Sequence, residues 1–154
     1  MEIKPNQTLV LLITSSDYGQ ANVMLSVAQQ LLQASAVTVH IASTATLSSQ
    51  VAQLGRSAHF HLLPSRSMFE GYVENGHDIN ELPHPPGMLG AVSSFNNVPK
   101  MMRHWMDGRY LDMYSACFLL IRELAPTVVV VDPVCAPEID ACRMLNQNLI
   151  ILSR

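Results

Sequence analysis

The sequence predicts an α/β fold, a Rossmann-like parallel sheet of five strands in the order 3-2-1-4-5 with helices on both faces. Two observations lead to this prediction. Short apolar runs typical of buried strands alternate with amphipathic helical segments along the chain. Right-handed crossovers then place the first strand in the centre of the sheet. A length of 154 residues suits a single domain that covers residues 1–154.

The first half of the chain contains three of the predicted strands. They are 8–14, which is apolar throughout, 37–42, which is rich in β-branched residues, and 58–63. A helix over 21–34 is predicted between the first two, because Met24, Val27 and Leu31 repeat at helical spacing. A loop and a short helix over 43–54 join the second strand to the third.

The second half begins with an irregular insert over about 65–107, which we expect to form a pocket. Its prolines cluster near 83–86 and its periodicity is weak, with short helices predicted near 67–73 and 98–105. A connection this long inside a compact domain often has a function. Regular structure then resumes with a helix over 107–124 and a strand over 127–131. A short helix from 137 and a strand over 148–152 follow.

Composition excludes several classes of function. The net charge of -3 gives no basic surface for nucleic acid. Three cysteines without a CxxC pair indicate a reduced, intracellular chain, so we expect a cytoplasmic protein. No apolar run reaches the roughly 18 residues that span a membrane. With 49% apolar and only 14% charged residues, the chain also has apolar surface to spare for a ligand or a partner.

Two loops are expected to meet at the carboxyl ends of the central strands, where ligands bind in such sheets. They are 15–20 and 132–137, and their candidate catalytic residues are Tyr18, Gln20 and Asp132. Each has a structural alternative. Asp132 could cap the turn before Pro133, Gln20 could cap the following helix, and Tyr18 could be an ordinary packing aromatic.

At these loops the chain resembles the N-terminal, acceptor-binding domain of fungal UDP-dependent glycosyltransferases with the GT-B fold. The matching segments follow one another in the same order across nearly the whole chain. They are Tyr18-Gly19-Gln20-Ala21-Asn22-Val23, His40-Ile41-Ala42-Ser43, Ser67-Met68-Phe69-Glu70, Pro85-Pro86-Gly87, Val129-Val130-Val131-Asp132-Pro133 and Asp140-Ala141-Cys142-Arg143.

The resemblance implies that a histidine in the loop after the first strand deprotonates the acceptor and that an aspartate orients it. Asp132 matches that aspartate, but Gln20 or Tyr18 occupies the position of the histidine. Glutamine cannot accept a proton near neutral pH, and tyrosine, with a pKa near ~10, is a poor base. The resemblance also implies that the donor-binding C-terminal domain of the family is absent from this chain.

The insert is rich in soft apolar residues, which favour an adaptable wall for an apolar ligand over a simple cap on the sheet. The residues predicted to bind substrate are His104, Trp105, Met68, Phe69, Met88, Met101 and Phe95. His59 and His61 lie two apart on one face of a strand, and sheet packing is favoured for them, as for His40, over metal binding. No metal or other cofactor is predicted.

The leading functional hypothesis is a cofactor-free enzyme. The acceptor pocket would bind a hydrophobic, natural-product-like molecule and guide a cyclisation, isomerisation or pericyclic step, reactions that gain chiefly from positioning. The alternatives are the acceptor-binding subunit of a two-chain UDP-glycosyltransferase and a non-catalytic binding module. We also expect a homodimer or a complex with a separate donor-domain chain, because the last strand leaves an edge and a face uncovered.

Overall fold

The computed structural model describes residues 8–34, 36–55, 57–64, 66–78, 80, 87–102 and 109–152. A parallel five-stranded sheet runs through them in the order β3-β2-β1-β4-β5, which confirms the predicted fold. Its strands are β1 (Thr8–Ile13), β2 (Val37–Ser43), β3 (Ala58–Leu62), β4 (Val128–Val131) and β5 (Leu149–Ile151).

In the described segments, six α-helices and a short 3-10 helix (Ala45–Leu47) connect the strands. The helices are α1 (Tyr18–Leu31), α2 (Ser48–Gln53), α3 (Met68–Glu74), α4 (Met88–Met102), α5 (Arg109–Leu124) and α6 (Ala136–Met144). Among the described residues, no helix combines the length and apolar character that crossing a membrane demands.

The apolar core lies on both faces of the sheet. On one face, Leu11 and Ile13 of β1 pack with Cys117 of α5 and the buried side of α6. On the other, Leu12 packs with Met24 of α1 and with α2. Leu11, Leu12 and Ile13 are fully buried, so the central strand is an unbroken apolar run, as expected of a strand covered on both faces.

Helix α4 differs most from the sequence-based expectation. The prediction was a short helix over 98–105, whereas α4 begins at Met88 and passes through Pro99. Its apolar residues Met88, Val92 and Phe95 repeat at helical spacing, but they are 84%, 55% and 80% exposed. Small and polar residues between them weakened the helical signal. Residues 103–105 of the predicted helix lie outside the described part of the chain.

Two hydrogen-bonded features fix the start of α3 and the end of α5. Ser67 and Glu70 form a capping box at the start of α3, with the Ser67 hydroxyl accepting from the Glu70 amide at 3.1 Å. Helix α5 is followed by Ala125 in the left-handed region (φ 44°), and the Ala125 amide donates to the Ile121 carbonyl at 2.9 Å. An alanine is strained at this position, which glycine normally occupies.

Candidate functional site

A crevice of about 390 Å³ lies where the loops after β1 and β4 meet at the carboxyl end of the sheet. Its polar lining includes Asp17, Gln20 and Asp132. Its apolar lining includes Val23, Met24 and Leu152. Two of the predicted catalytic residues, Gln20 and Asp132, therefore border one cavity at the switch point of the sheet, the usual place for a ligand in this architecture.

Asp132 is 1% exposed and is held from two sides. The Val134 amide donates to Oδ1 at 3.1 Å, and the Thr14 hydroxyl donates to Oδ2 at 3.4 Å. The Asp132 amide itself donates to the Ile13 carbonyl at 3.2 Å, which ties the loop to β1. Asp132 thus caps its turn, as the structural alternative supposed, and lines the crevice as well.

Gln20 lies in the first turn of α1 with its side chain directed to the loop that precedes the helix. The Ser15 hydroxyl donates to Oε1 of Gln20 at 3.2 Å. With this oxygen engaged, the amide NH₂ is the end of the side chain that can donate to a bound molecule. Gln20 therefore supplies a hydrogen-bond donor at the position where the family resemblance implied a proton acceptor.

Asp17 is a residue of this site that the sequence analysis did not select. It is the N-cap of α1, is only 7% exposed, and lines the crevice together with Asp132. Aspartate is among the preferred N-cap residues, but the predicted helix begins at 21, three residues after the observed start, so the sequence did not place Asp17 at a helix end.

Comparison with known proteins gives the fold a family context. No family model matches the chain. The glycosyltransferase sdnJ of Sordaria araneosa is 30% identical over 159 residues, a match that covers 93% of this chain and 31% of sdnJ. The chain is a glycosyltransferase-related domain. It spans about a third of the length of this relative.

Solved glycosyltransferases share the fold of this glycosyltransferase-related domain. SsfS6 of Streptomyces sp. SF2575 matches 93% of the chain and 38% of its own length, with a TM-score of 0.64 and 17% identity. SnogD of Streptomyces nogalater matches 95% of the chain and 34% of its own length, with a TM-score of 0.57 and 18% identity. The fold is that of the N-terminal half of GT-B glycosyltransferases, as the resemblance implied.

The predicted substrate-binding residues are not gathered around the crevice in the described part of the chain. Phe69, which is 41% exposed, lines a second crevice of about 640 Å³ with Thr44 and Val73. Met88 and Phe95 are exposed on α4. Their role in substrate binding stays a prediction.

Five other candidate residues are described only in part or not at all. Tyr18 begins α1, and Met68 and Met101 lie in α3 and α4, but the description of these three does not extend to their side chains. His104 and Trp105 lie outside the described residues. Their parts in the site stay predictions too.

A third buried carboxyl group lies near Asp132. Glu138 of α6 is 0% exposed, and burial, together with the negative charge of Asp132, raises its pKa to about 7. Three free cysteines surround it, and burial also raises the pKa of Cys117, Cys135 and Cys142, which argues against thiolate chemistry. The sequence did not signal Glu138, since nothing in its pattern predicts burial of a glutamate.

The histidines of β2 and β3 form a cluster on one face of the sheet. His40 Nδ1 and His61 Nε2 are 2.7 Å apart, and the His40 and His59 rings have centroids 4.6 Å apart. Burial and the neighbouring histidines lower the pKa of His40 to about 4. Sequence analysis did not anticipate that all three would touch. Across the described residues, no three potential ligands are arranged to hold a metal ion.

Proposed function

We propose that this domain binds an apolar, hydroxyl-bearing small molecule in the crevice between α1 and the ends of β4 and β5. The observation that carries the proposal is the lining of that crevice. Gln20 and Asp132 form a polar end, and Val23, Met24 and Leu152 supply apolar surface beside it. An apolar cavity with a few fixed polar groups is the usual form of a small-molecule site.

The chemistry proposed for this site is a cofactor-free cyclisation, isomerisation or pericyclic step. The loop 15–20 contains no histidine, and a glutamine amide does not take up a proton near neutral pH. What Gln20 and Asp132 offer is hydrogen bonding from rigid positions. Reactions that depend on holding a substrate in a reactive conformation gain most from such groups.

A second candidate is the acceptor-binding part of a UDP-dependent glycosyltransferase whose donor site belongs to a further domain or chain. The sequence identity with sdnJ over 93% of the chain favours it. Ile150 and Ile151 on β5 are 52% and 44% exposed, which offers apolar surface for such a partner or for a second copy of the chain. In this function Asp132 would lie beside the acceptor hydroxyl.

The two functions are separated by incubating the purified protein with a metabolite extract of its source, with and without a UDP-sugar. The first proposal predicts a product of unchanged mass without UDP-sugar, detected by liquid chromatography and mass spectrometry. A product heavier by one sugar unit, formed only with UDP-sugar and a second protein, would support the glycosyltransferase instead.

The variant Asp132→Asn tests the site in either function. It keeps the shape of the side chain but removes its charge, and we expect turnover to fall about tenfold or more. Asp112→Asn, on the exposed side of α5, is the matched control and should leave the rate unchanged. Equal rates for Asp132→Asn and the unmodified protein would remove Asp132 from the reaction.

A further inference from the structure

The charge of the crevice narrows the class of molecule that it can take. Asp17 and Asp132 enter its lining from two different loops, and both are more than nine-tenths buried. Among the lining residues that the structure describes, none is basic. Two carboxylates in a partly enclosed cavity repel an anion and attract a cation more strongly than they would in open water.

Asp17 also changes what the start of α1 can bind. The N-terminus of a helix carries a partial positive charge and often binds phosphate or carboxylate groups in folds of this kind. Here the N-cap residue is itself an aspartate, and its backbone carbonyl accepts hydrogen bonds from the amides of Gln20 and Ala21, each at 3.0 Å. The negative charge of Asp17 opposes the approach of a second anion to this helix end.

We propose that the crevice selects an apolar molecule whose polar group is a protonated amine or a hydroxyl, the amine binding more tightly, and that Asp17 excludes carboxylates and phosphates. The inference rests on the proposed function, since it assumes that the same crevice is the binding site. Beyond that function, it specifies the charge of the ligand and gives Asp17 a role in specificity. Both ammonium and hydroxyl groups donate hydrogen bonds, which carboxylates accept.

Three probes that share a naphthalene ring and differ in their polar group test this selection. They are 2-naphthylmethylamine, 2-naphthylmethanol and 2-naphthoic acid, titrated by isothermal calorimetry at pH 7 and low ionic strength. We expect the amine to bind about tenfold more tightly than the alcohol, and the acid about tenfold more weakly. The differences between the three affinities should become smaller as salt is added, because ions screen the two carboxylates.

The variant Asp17→Asn assigns the effect to its residue. Asparagine is an equally good N-cap, so α1 should remain intact, which circular dichroism checks. We expect weaker amine binding, stronger acid binding and unchanged alcohol binding. Asp112→Asn, which removes an exposed charge from α5, should alter none of the three affinities.

The outcomes separate this inference from the proposed function. If the acid binds as well as the alcohol, the crevice binds a ligand but does not select it by charge, and the inference is wrong. If the acid remains weak in Asp17→Asn, Asp17 is not the specificity residue. If none of the three probes binds, the proposed function fails and the inference fails with it.

Discussion

Two regions of the sheet hold clusters of ionisable side chains, which are acidic in one region and imidazoles in the other. Beside β1 and β4 lie three carboxyl groups, Asp17, Asp132 and Glu138. Beside β2 and β3 lie three imidazoles, His40, His59 and His61. Burial raises the pKa of Glu138 and lowers that of His40, because in each case it favours the neutral form.

This difference indicates how each group of side chains is used. The acidic group borders a cavity that is open to a ligand, and it combines the two crevice aspartates with a carboxyl group that titrates near neutral pH. The histidine group has no adjoining cavity among those described, and its rings contact one another. We therefore propose a role in ligand binding for Asp17 and Asp132, and packing between β2 and β3 for the histidines.

Glu138→Gln should have the largest effect on how the free energy of unfolding depends on pH. The folded-state pKa of about 7 lies above the unfolded value of 4.5, so the folded protein holds the proton more tightly. This contribution to the free energy of unfolding is fully present below pH 4.5. About 3 kcal/mol of it is lost as the pH rises through 7. Urea unfolding at pH 5 and pH 8 should show this loss in the unmodified protein and not in Glu138→Gln.

The control for this measurement is Asp112→Asn, whose carboxyl group is exposed on α5. It should retain the full loss of stability between pH 5 and pH 8. A pH dependence that persists undiminished in Glu138→Gln would mean that another group, and not Glu138, carries the buried proton.

Thr14→Val tests the support of Asp132. The buried Thr14 hydroxyl lies 3.4 Å from Asp132 Oδ2 and 3.1 Å from the Ser15 carbonyl oxygen, and valine keeps the branched shape while removing this donor. We expect a loss of about 1–2 kcal/mol in the free energy of unfolding, since a buried acceptor loses its hydrogen bond. Thr46→Val, an exposed position on the second crevice, should change stability little. Equal losses in both variants would argue that the Thr14 contact adds nothing.

His40→Gln tests the opposite pH dependence at the histidine cluster. The folded-state pKa of about 4 lies below the ordinary value of 6.5, so stability is present above pH 6.5 and is lost as pH falls through 4. We expect the variant to reduce this acid-side loss, by on the order of 1 kcal/mol. Thermal unfolding between pH 4 and pH 7 measures it, with His77→Gln as control. An unchanged pH profile would exclude His40 as the group responsible.

Ala125→Gly changes a position outside the acidic group and the histidine group, and it should have the smallest effect on stability. Glycine adopts the left-handed conformation at φ 44° without the strain that a Cβ imposes. We expect a gain of about 0.5 kcal/mol that does not vary with pH. Ala52→Gly, at an exposed position inside α2, should instead lose about 1 kcal/mol. A loss of stability in Ala125→Gly would show that the alanine is not strained.

The sequence predicted the sheet fully and the site in part. The apolar run of β1 and the β-branched run of β2 determine buried strands, and chain order with right-handed crossovers then determines the arrangement. Gln20 and Asp132 were selected because their loops follow strands that end at the switch point and because both match positions of the resembled family. Both line the crevice, since the sheet topology brings the two loops together.

Other features depend on packing that no local pattern records. Glu138 has the appearance of a surface residue on a helix, and it is buried where α6 packs against α5 and the sheet. The contact of His40 with His59 and His61 depends on the register of β2 and β3, in which His40 lies opposite His59. Helix α4 is longer than predicted because small and polar residues separate Met88, Val92 and Phe95 and weaken the helical pattern.

We propose the crevice between α1 and the ends of β4 and β5 as the ligand site. The decisive experiment is titration of the ¹⁵N-labelled protein with 2-naphthylmethanol, followed by ¹H–¹⁵N correlation spectra. We expect the amide shifts to concentrate at Gly19, Gln20 and Val23, and at Asp132 and Leu152. Shifts confined to α3 and α4, or no shifts at all, would contradict it.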